Sequence, residues 1–370
     1  MPGIELNEVR QDCVYFRGGI PCQPNKTRGV VCTCDSYRPI SKRILIIKLG
    51  ALGDVIRTTP LIGKYRQLYP DCHITWLTQS PEVLPKDSIN VILKPDAFSI
   101  WTIQQSEYDI AINLDKENEA CMLLAAAKAP EKYGYTWTDN KLAPATPAAV
   151  HKLMTGFFDE LSQRNTKSYL EEIFEICHME FSYEPYQINK NHELCAKWYT
   201  KLREISGGRP IIGLNTGCGP RWNTRLWPVA YWEELAATLK SQGYFPAFLG
   251  GALEHEKNTA MAANTGTHYP GHYSLEEFIA LTDSCDLILT QVSMMMHIAT
   301  ALEKKMVLMN NIFNRHEFEL YGRGEIIEPR SNCECYYGNT CKRGESSCMH
   351  DLTAAEVAAA IVRVVSKPAA

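Results

Sequence analysis

The chain has 370 residues, which is enough for two domains that each bury a core. Its net charge of −4, without any run of Lys or Arg, excludes the basic surface that nucleic-acid binding requires. No uncharged apolar stretch reaches the roughly 18 residues of a membrane span, and the first residues, MPGIELNEVRQDC, lack a signal-peptide pattern. We therefore expect a cytoplasmic globular protein with no nucleic-acid partner and at most peripheral membrane association.

The pattern of the sequence divides the chain into four parts. We expect a Cys-rich extension over 1–42, a first α/β domain over 43–180, a second over 191–330, and a Cys-rich segment with a terminal helix over 331–370. Each domain alternates strands and helices, which predicts doubly wound parallel sheets of the Rossmann type. Two such domains imply a cleft between them, the usual place for a ligand.

In the first domain, short apolar runs alternate with helical patterns. Runs without polar alternation are typical of parallel strands covered on both faces. We predict strands at Ile44–Leu49, His73–Leu77, Val91–Leu93 and Asp109–Leu114, helical segments at Val55–Tyr69 and Val150–Ile176, and a linker at Cys177–Asn191.

The second domain repeats this alternation. We predict strands at Pro210–Leu214, Phe245–Leu249, Asp286–Leu289 and Met306–Met309, and helices at Ala230–Gln242, Leu275–Thr282, Met294–Leu302 and Ala354–Val365. Asp351 and Thr353 are the candidate caps of the last helix.

The most informative segment reads RILIIKLGALGDVIRTTP, from Arg43 to Pro60. A strand, a turn with Gly50 and Gly53, and a helix form the first unit of a doubly wound domain, whose ligands bind beyond the carboxyl end of the strand. Asp54 stands at this turn, where its charge would repel a phosphate. The turn therefore suits a general base better than a dinucleotide, and a helix N-cap is the alternative role for this residue.

Polar residues follow three strands of the second domain. Thr216, Gly217 and Arg225 could hold a diphosphate through a hydroxyl, an N–H group and a guanidinium, and a capped turn with a surface Arg is the alternative. Glu254 could accept hydrogen bonds from ribose hydroxyls or cap a helix. His297 lies in the first turns of a helix that faces the same crevice, where a structural role is the alternative.

Taken together, these segments resemble the heptosyltransferase family (glycosyltransferase family nine), which adds heptose to lipopolysaccharide cores. The resemblance rests on KLGALGDVIRTTP, TRLWP, GGALEHE and the segment ending in MHIATAL, over residues 43–330. It implies the GT-B architecture, in which the first Rossmann-like domain binds the acceptor and the second binds the nucleotide-sugar.

The resemblance also assigns roles to residues. It makes Asp54 the general base that takes the acceptor's hydroxyl proton in an inverting single displacement, and it places Arg225 on the donor diphosphate and Glu254 on the nucleotide. The donor set that it implies is Thr216, Gly217, Arg225, Glu254, Ser293 and His297, with Gly50, Gly53 and Arg57 on the turn and acceptor side. ADP-heptose is the implied donor and a carbohydrate or glycoconjugate the acceptor. No cofactor or divalent metal is expected in catalysis, because the cleft segments contain no Asp-x-Asp motif.

The chain departs from the family at one donor position. The family commonly has an Asp-Thr pair where this chain has Val292 and Ser293. The missing carboxylate leaves a changed donor sugar or a lost activity open. In addition, the loops of the first domain show no basic cluster for an acidic acceptor.

Eight of the cysteines form two sets near the chain ends. The late set is Cys333, Cys335, Cys341 and Cys348, and the early set is Cys13, Cys22, Cys32 and Cys34. The late spacing predicts a structural Zn²⁺ or iron site, with reduced thiols or disulfides as alternatives. A similar terminal set binds iron in the autotransporter heptosyltransferases. The early set is a second candidate metal site, although neither spacing is that of an iron–sulfur motif. The sets could share one site if the terminal helix crosses back to the first domain, as in the family.

Three functions compete on this sequence. A glycosyltransferase is favoured by the segments above. A catalytically degenerate, metal-braced nucleotide-binding or scaffold protein is the alternative, and Val292 favours it. A redox protein is disfavoured because no Cys-x-x-Cys pair stands at a strand–helix junction.

Overall fold

The computed structural model describes residues 4–331, 333–344 and 347–368. Within these ranges the chain forms two β-sheets with helices around each of them. The doubly wound α/β class predicted from the sequence is confirmed. A membrane crossing would need a longer and more apolar helix than any in these ranges.

The first sheet has the strand order β3-β2-β1-β4-β5-β6. Its strands are β1 Arg43–Ile47, β2 His73–Leu77, β3 Val91–Leu93, β4 Ile110–Asn113, β5 Glu131–Thr138 and β6 Lys141–Pro144. All neighbours pair in parallel except β5 and β6, which form an antiparallel hairpin. β1 lies inside the sheet and its four residues Ile44–Ile47 are fully buried, as a parallel strand covered on both faces requires.

Eight helices of the described chain belong to the first half. They are α1 Gln23–Arg28, α2 Leu52–Thr58, α3 Pro60–Leu68, α4 Ala97–Gln105, α5 Asn118–Ala126, α6 Val150–Phe157, α7 Asp159–Arg164 and α8 Tyr169–Ile176. The single helical segment predicted from Val55 is wrong, because Pro60 begins a new helix there. The segment predicted over Val150–Ile176 is likewise three helices instead of one.

The second sheet is parallel throughout, with the order β11-β10-β9-β7-β8. Its strands are β7 Ile211–Asn215, β8 Phe245–Leu249, β9 Leu287–Gln291, β10 Lys305–Met309 and β11 Gly324–Ile327. The helices of this half are α9 His192–Ser206, α10 Val229–Ser241, α11 His255–Thr265, α12 Leu275–Asp283, α13 Met294–Ala301 and α14 Ala354–Ser366. Thr353 caps α14 by accepting from the N–H of Glu356, so of the two candidate caps Thr353 is the N-cap.

Two packing contacts position the candidate site. α2 of the first half packs against α13 of the second, and buried residues of both sheets join one hydrophobic cluster there. α14 packs against α10 and β10, so the expectation that the terminal helix crosses back to the first domain is wrong. The domain limits predicted from the sequence stay a prediction.

Candidate active site

Asp54 lies at the carboxyl end of β1, in the first turn of α2. The residue at the N-cap is Ala51, so the alternative that Asp54 is the N-cap is wrong. The Asp54 side chain is 34% exposed, and its Oδ1 lies 2.8 Å from Nη2 of Arg57. The sequence thus places a partly exposed carboxylate where ligands of doubly wound sheets bind.

The surroundings of Asp54 keep it ionised. Burial alone would raise its pKa, but the charges of Arg57 and Lys48 outweigh burial and hold the pKa below its ordinary value. The guanidinium of Arg57 lies 3.4 Å from the centroid of the Tyr169 ring. Lys48 is buried against Asp115 at the end of β4 and donates to the carbonyl of Gly50 at 2.6 Å. These contacts fix both the turn and the charge of the carboxylate.

A cavity of about 670 Å³, here called the cleft cavity, opens beside Asp54 between the two halves of the chain. Arg221, Trp222, Glu317, Tyr337 and Asn339 line it from the second half. Sequence reasoning missed these residues, because none of them belongs to a recognisable motif; Glu317 ends a short 3-10 helix and the others lie in loops.

The cleft cavity is lined by five carboxylates, Asp54, Asp115, Glu117, Asp159 and Glu317, and by as many cations. Five cations line it, from separate parts of the chain: Lys48, Arg57, Lys116, Lys152 and Arg221. Lys152 pairs with Glu172, whereas Lys116 has no carboxylate partner among the described residues. Burial lowers the pKa of Lys116 to about 8. The prediction that the loops of the first domain show no basic cluster for an acidic acceptor stays a prediction.

A second cavity of about 450 Å³, here called the Glu254 cavity, lies at the carboxyl ends of β7, β8 and β9. Gly217, Glu254 and Ser293 line it, so three of the predicted donor residues lie together. A Cβ added to Gly217 would come within 2.2 Å of Oε1 of Glu254, so a side chain at this position would displace the Glu254 carboxylate. Glu254 also accepts from the N–H of Gly251 at 3.0 Å, and thus has a capping contact besides its place in the cavity.

The other three predicted donor residues lie outside this cavity's lining. Thr216 is fully buried and its hydroxyl donates to Oδ1 of Asn258 at 2.6 Å. Arg225 is 6% exposed, and its guanidinium donates to three backbone carbonyls, those of Trp222, Cys218 and Val292. Thr216 and Arg225 therefore lie behind the residues that line the Glu254 cavity and support its walls.

His297 lies at the contact between the two halves. A Cβ added to Gly53 would come within 2.6 Å of Cδ2 of His297, so α13 approaches α2 closely at this glycine. Burial, and then the charge of Arg57, lower the pKa of His297 to about 3. A neutral histidine packed at this contact favours the structural alternative over a direct role.

The late cysteines lie in a loop beside the cleft cavity. Cys333 and Cys348 lie near each other, and the interaction with Cys333 lowers the pKa of Cys348 below its ordinary value. The N–H of Cys335 donates to Sγ of Cys333 at 3.4 Å, and that of Lys342 to Sγ of Cys335 at 3.2 Å. In the ranges that the structure covers, no three His, Cys, Asp or Glu side chains are close enough together to hold a metal ion. All late cysteines are free thiols, and so are the early four, which line a third cavity of their own.

Two doubly wound sheets that meet at a cleft, with ligand cavities at the carboxyl ends of their strands, form the GT-B architecture. The family model of glycosyltransferase family 9 (heptosyltransferase) matches residues 100–325, and the chain belongs to this family. Lipopolysaccharide heptosyltransferase 2 of Salmonella typhimurium is 23% identical over 301 residues, which cover 72% of this chain and 81% of the relative.

Solved structures agree on the fold. The ADP-heptose lps heptosyltransferase II of E. coli matches with a TM-score of 0.61 at 17% identity, over 87% of this chain and 98% of that one. The iron-containing dodecameric heptosyltransferase TibC of enterotoxigenic E. coli H10407, solved in complex with ADP-D-beta-D-heptose, matches with a TM-score of 0.52 at 13% identity, over 94% of this chain and 82% of that one.

Proposed function

We propose that this glycosyltransferase moves a heptose from ADP-heptose to a hydroxyl group of a glycoconjugate, with Asp54 as the general base. The observation that carries the proposal is the ionised, partly exposed Asp54 carboxylate in the cleft cavity. The names of the relatives, which are heptosyltransferases of lipopolysaccharide, support the sugar and the acceptor class.

The reaction follows from this placement. Asp54 accepts the hydroxyl proton while the acceptor oxygen attacks the anomeric carbon and the bond to the diphosphate breaks, which inverts that carbon. The leaving ADP takes the electron pair of the broken bond. The N-terminus of α13, with Ser293 as its N-cap, lies at the Glu254 cavity and offers N–H groups to the diphosphate. We infer that these groups and the backbone of Gly217 hold the leaving charge without a divalent metal.

Glu254 is the proposed contact for the ribose hydroxyls of the donor. Its carboxylate lies in the cavity at the end of β8, where it can accept hydrogen bonds from a diol. Arg225 has a different role from the one its motif implies. Because its guanidinium already binds three carbonyls, we propose that it positions the loop around Cys218 and does not itself touch the diphosphate.

The acceptor is proposed to be anionic. Lys116 is a half-buried cation of the cleft cavity without a carboxylate partner in the described chain, and an acidic group of the acceptor would supply one. Gly156 gives this lysine its space, since a Cβ there would come within 1.8 Å of Nζ.

We further propose that this cytoplasmic enzyme meets its acceptor at a membrane surface. Five apolar side chains of α6, α7 and their junction are at least a third exposed: Val150, Met154, Phe157, Phe158 and Leu161. The same helices line the cleft cavity through Thr155, Gly156 and Asp159. An exposed apolar patch next to the acceptor site suits a lipid-linked acceptor.

A structural metal at the late cysteines is part of the proposal. Cys333 and Cys348 lie near enough to affect each other's pKa, and backbone N–H groups donate to the sulfurs of Cys333 and Cys335. TibC is an iron-containing heptosyltransferase, which supports iron here. Bound metal would brace the loop that brings Tyr337 and Asn339 to the cleft cavity.

A degenerate scaffold protein is the second candidate function. Val292, where the family has a carboxylate, is 8% exposed, and Met294 and Met295 make part of the Glu254 cavity apolar. Measurable transfer from a nucleotide-sugar would eliminate this candidate.

The experiment combines ligand binding with turnover. A thermal-shift panel of ADP, GDP, UDP, dTDP and CDP identifies the nucleotide, because a ligand at about 100 times its dissociation constant adds roughly 2.7 kcal/mol of stability. Turnover with ADP-heptose is then compared in Asp54→Asn and in the exposed control Asp139→Asn. We expect Asp54→Asn to lose about 10²–10⁴-fold in kcat with ADP binding retained, and the control to match the native enzyme. Near-native turnover of Asp54→Asn would refute the assignment of the base.

A further inference from the structure

One carboxylate of the cleft cavity, that of Glu317, has hydrogen-bonding capacity to spare. Of the other four, two are ion-paired and two are exposed to solvent, namely Asp54 with Arg57, Asp115 with Lys48, and Glu117 and Asp159. Glu317 is half-buried, and over residues 4–331, 333–344 and 347–368 no basic side chain lies within ion-pair distance of it. Its Oε1 accepts a hydrogen bond from the hydroxyl of Tyr337 at 3.2 Å. Because a carboxylate has about four lone-pair sites, Glu317 can accept further hydrogen bonds from a ligand.

Hydrogen bonds across the cleft bring Glu317 to the first half of the chain. Glu317 ends the short 3-10 helix Arg315–Glu317, whose N-cap is Asn314. Asn314 is 7% exposed, and its Nδ2 donates to the carbonyls of Ser162 and Asn165, in α7 and directly after it, at 2.7 and 2.6 Å. The helix of Glu317 is therefore attached to the half that carries the proposed acceptor site, although it follows β10 of the second sheet.

The charge of Glu317 shows which groups it faces. It acts across the cavity on Lys116 and Arg57, where it opposes the effect of burial on the pKa of each cation. Lys116 is the proposed partner of an acidic group of the acceptor, and Arg57 pairs with the proposed base, Asp54. Glu317 therefore faces the acceptor side of the cleft cavity.

Tyr337 presents its hydroxyl to Glu317 from a constrained position. Its φ is 48°, in the left-handed region that bulky residues rarely adopt, and its N–H donates to the carbonyl of Ile312 at 3.3 Å. Its ring packs edge-on against Phe313 at 5.3 Å and lies 5.9 Å from the Trp222 ring. Such a backbone conformation persists only where the surrounding contacts determine it, and it is common at ligand-binding sites. These contacts fix the direction of the hydroxyl, and thereby the position of Oε1 of Glu317.

We propose that Glu317 binds the acceptor by accepting hydrogen bonds from two neighbouring hydroxyls of its sugar, and that Tyr337 is the positioning residue of this carboxylate. The acceptor class is therefore a sugar with a free diol, which Glu317 holds while Lys116 binds its acidic group. Hydrogen bonds to an ionised acceptor are roughly twice as strong as those between neutral groups, so this contact selects for the diol. The inference rests on the proposed function, since it names a contact of the proposed acceptor.

The test measures transfer from ADP-heptose to a deacylated, truncated lipopolysaccharide core oligosaccharide. Glu317→Gln should raise the KM of this acceptor about tenfold or more, with kcat and the KM of ADP-heptose near native. Tyr337→Phe keeps the ring and should raise the acceptor KM by a smaller factor, again with kcat retained. Glu334→Gln is the matched control, because Glu334 is an exposed carboxylate of the neighbouring loop and does not line the cleft cavity. A native acceptor KM in Glu317→Gln, or a loss confined to kcat, would overturn the proposal.

Calorimetry with the same oligosaccharide, in the presence of ADP, separates this contact from the proposed function. Glu317→Gln should bind ADP like the native chain and the oligosaccharide more weakly. Among analogues that lack one hydroxyl of the terminal sugar, at least one should weaken binding to the native chain far more than to Glu317→Gln, because groups in contact are not additive. Equal losses in both proteins for every analogue would overturn the contact alone. A native chain that neither binds nor glycosylates the oligosaccharide would overturn the proposed function, and this contact with it.

Discussion

Removing the positive charge of Arg57 tests whether Asp54 is the base. The guanidinium stabilises the carboxylate at 2.8 Å, and together with Lys48 it holds the pKa of Asp54 below the ordinary value against the opposite effect of burial. In Arg57→Gln this pKa therefore rises. As the pH falls, the variant loses its carboxylate, and with it the transfer reaction, at a higher pH than the native enzyme.

Coulomb's law gives the size of this change. Two unit charges 2.8 Å apart interact by about 1.5 kcal/mol at the dielectric constant of water. The side chain of Asp54 is 34% exposed, so solvent screening keeps the effect near this lower limit. About 1.4 kcal/mol corresponds to a factor of ten in proton affinity. The pH at which the activity is half-maximal should therefore rise by about one pH unit.

The assay is the pH profile of kcat/KM, whose acidic limb reports the base of the free enzyme. Arg57→Lys is the matched control, because it keeps the charge while losing the planar contact with Tyr169. We expect the acidic limb of Arg57→Gln to move to higher pH and that of Arg57→Lys to stay near the native position. An unmoved limb in Arg57→Gln, or an equal shift in both variants, would refute the coupling between Arg57 and the base.

Three further substitutions test the packing, the acceptor site and the metal site. Gly53→Ala places a Cβ 2.6 Å from His297 and should destabilise the fold by about 1–3 kcal/mol, seen as a lower unfolding midpoint. Gly63→Ala is the control, because a Cβ at this position lies 3.4 Å from the nearest atom, Nε2 of Gln187. Lys116→Met should raise the acceptor KM more than it lowers kcat. In the native enzyme, acceptor affinity should weaken as the pH rises through about 8, where Lys116 loses its proton. An acceptor KM that does not change with pH would contradict this. Cys348→Ser should lose a bound metal ion and lower the unfolding midpoint, and elemental analysis showing unchanged metal would count against the late site.

The first unit of the fold could be predicted because its signals are local. The apolar run of β1, the following glycines and Asp54 are contiguous, so the position of the carboxylate at the strand end follows from the sequence alone. The β5–β6 hairpin was missed although a turn signal exists. Asp139 and Asn140 both have positive φ, the conformation that a tight hairpin turn requires and that these two residue types tolerate.

The cations of the cleft cavity could not be predicted in the same way. Lys152 and Arg221 come from a helix and a loop far apart in the chain, and only the tertiary fold brings them together. Lys116 is the exception. It follows β4 closely, as Asp54 follows β1, and the rule that ligands bind beyond strand ends could have identified it.

Arg225 shows why a motif identifies a residue without identifying its partner. The segment TRLWP placed a guanidinium near the donor site, but in the structure three backbone carbonyls bind it. Arg225→Ala should therefore weaken ADP binding because the loop around Cys218 loses its support. Arg225→Lys distinguishes the two roles: a single ammonium keeps the charge but cannot bridge three carbonyls in the geometry of a planar guanidinium. If Arg225 positions the loop, the Lys variant should bind ADP as poorly as the Ala variant in calorimetry. Substantial rescue by lysine would return Arg225 to direct contact with the diphosphate.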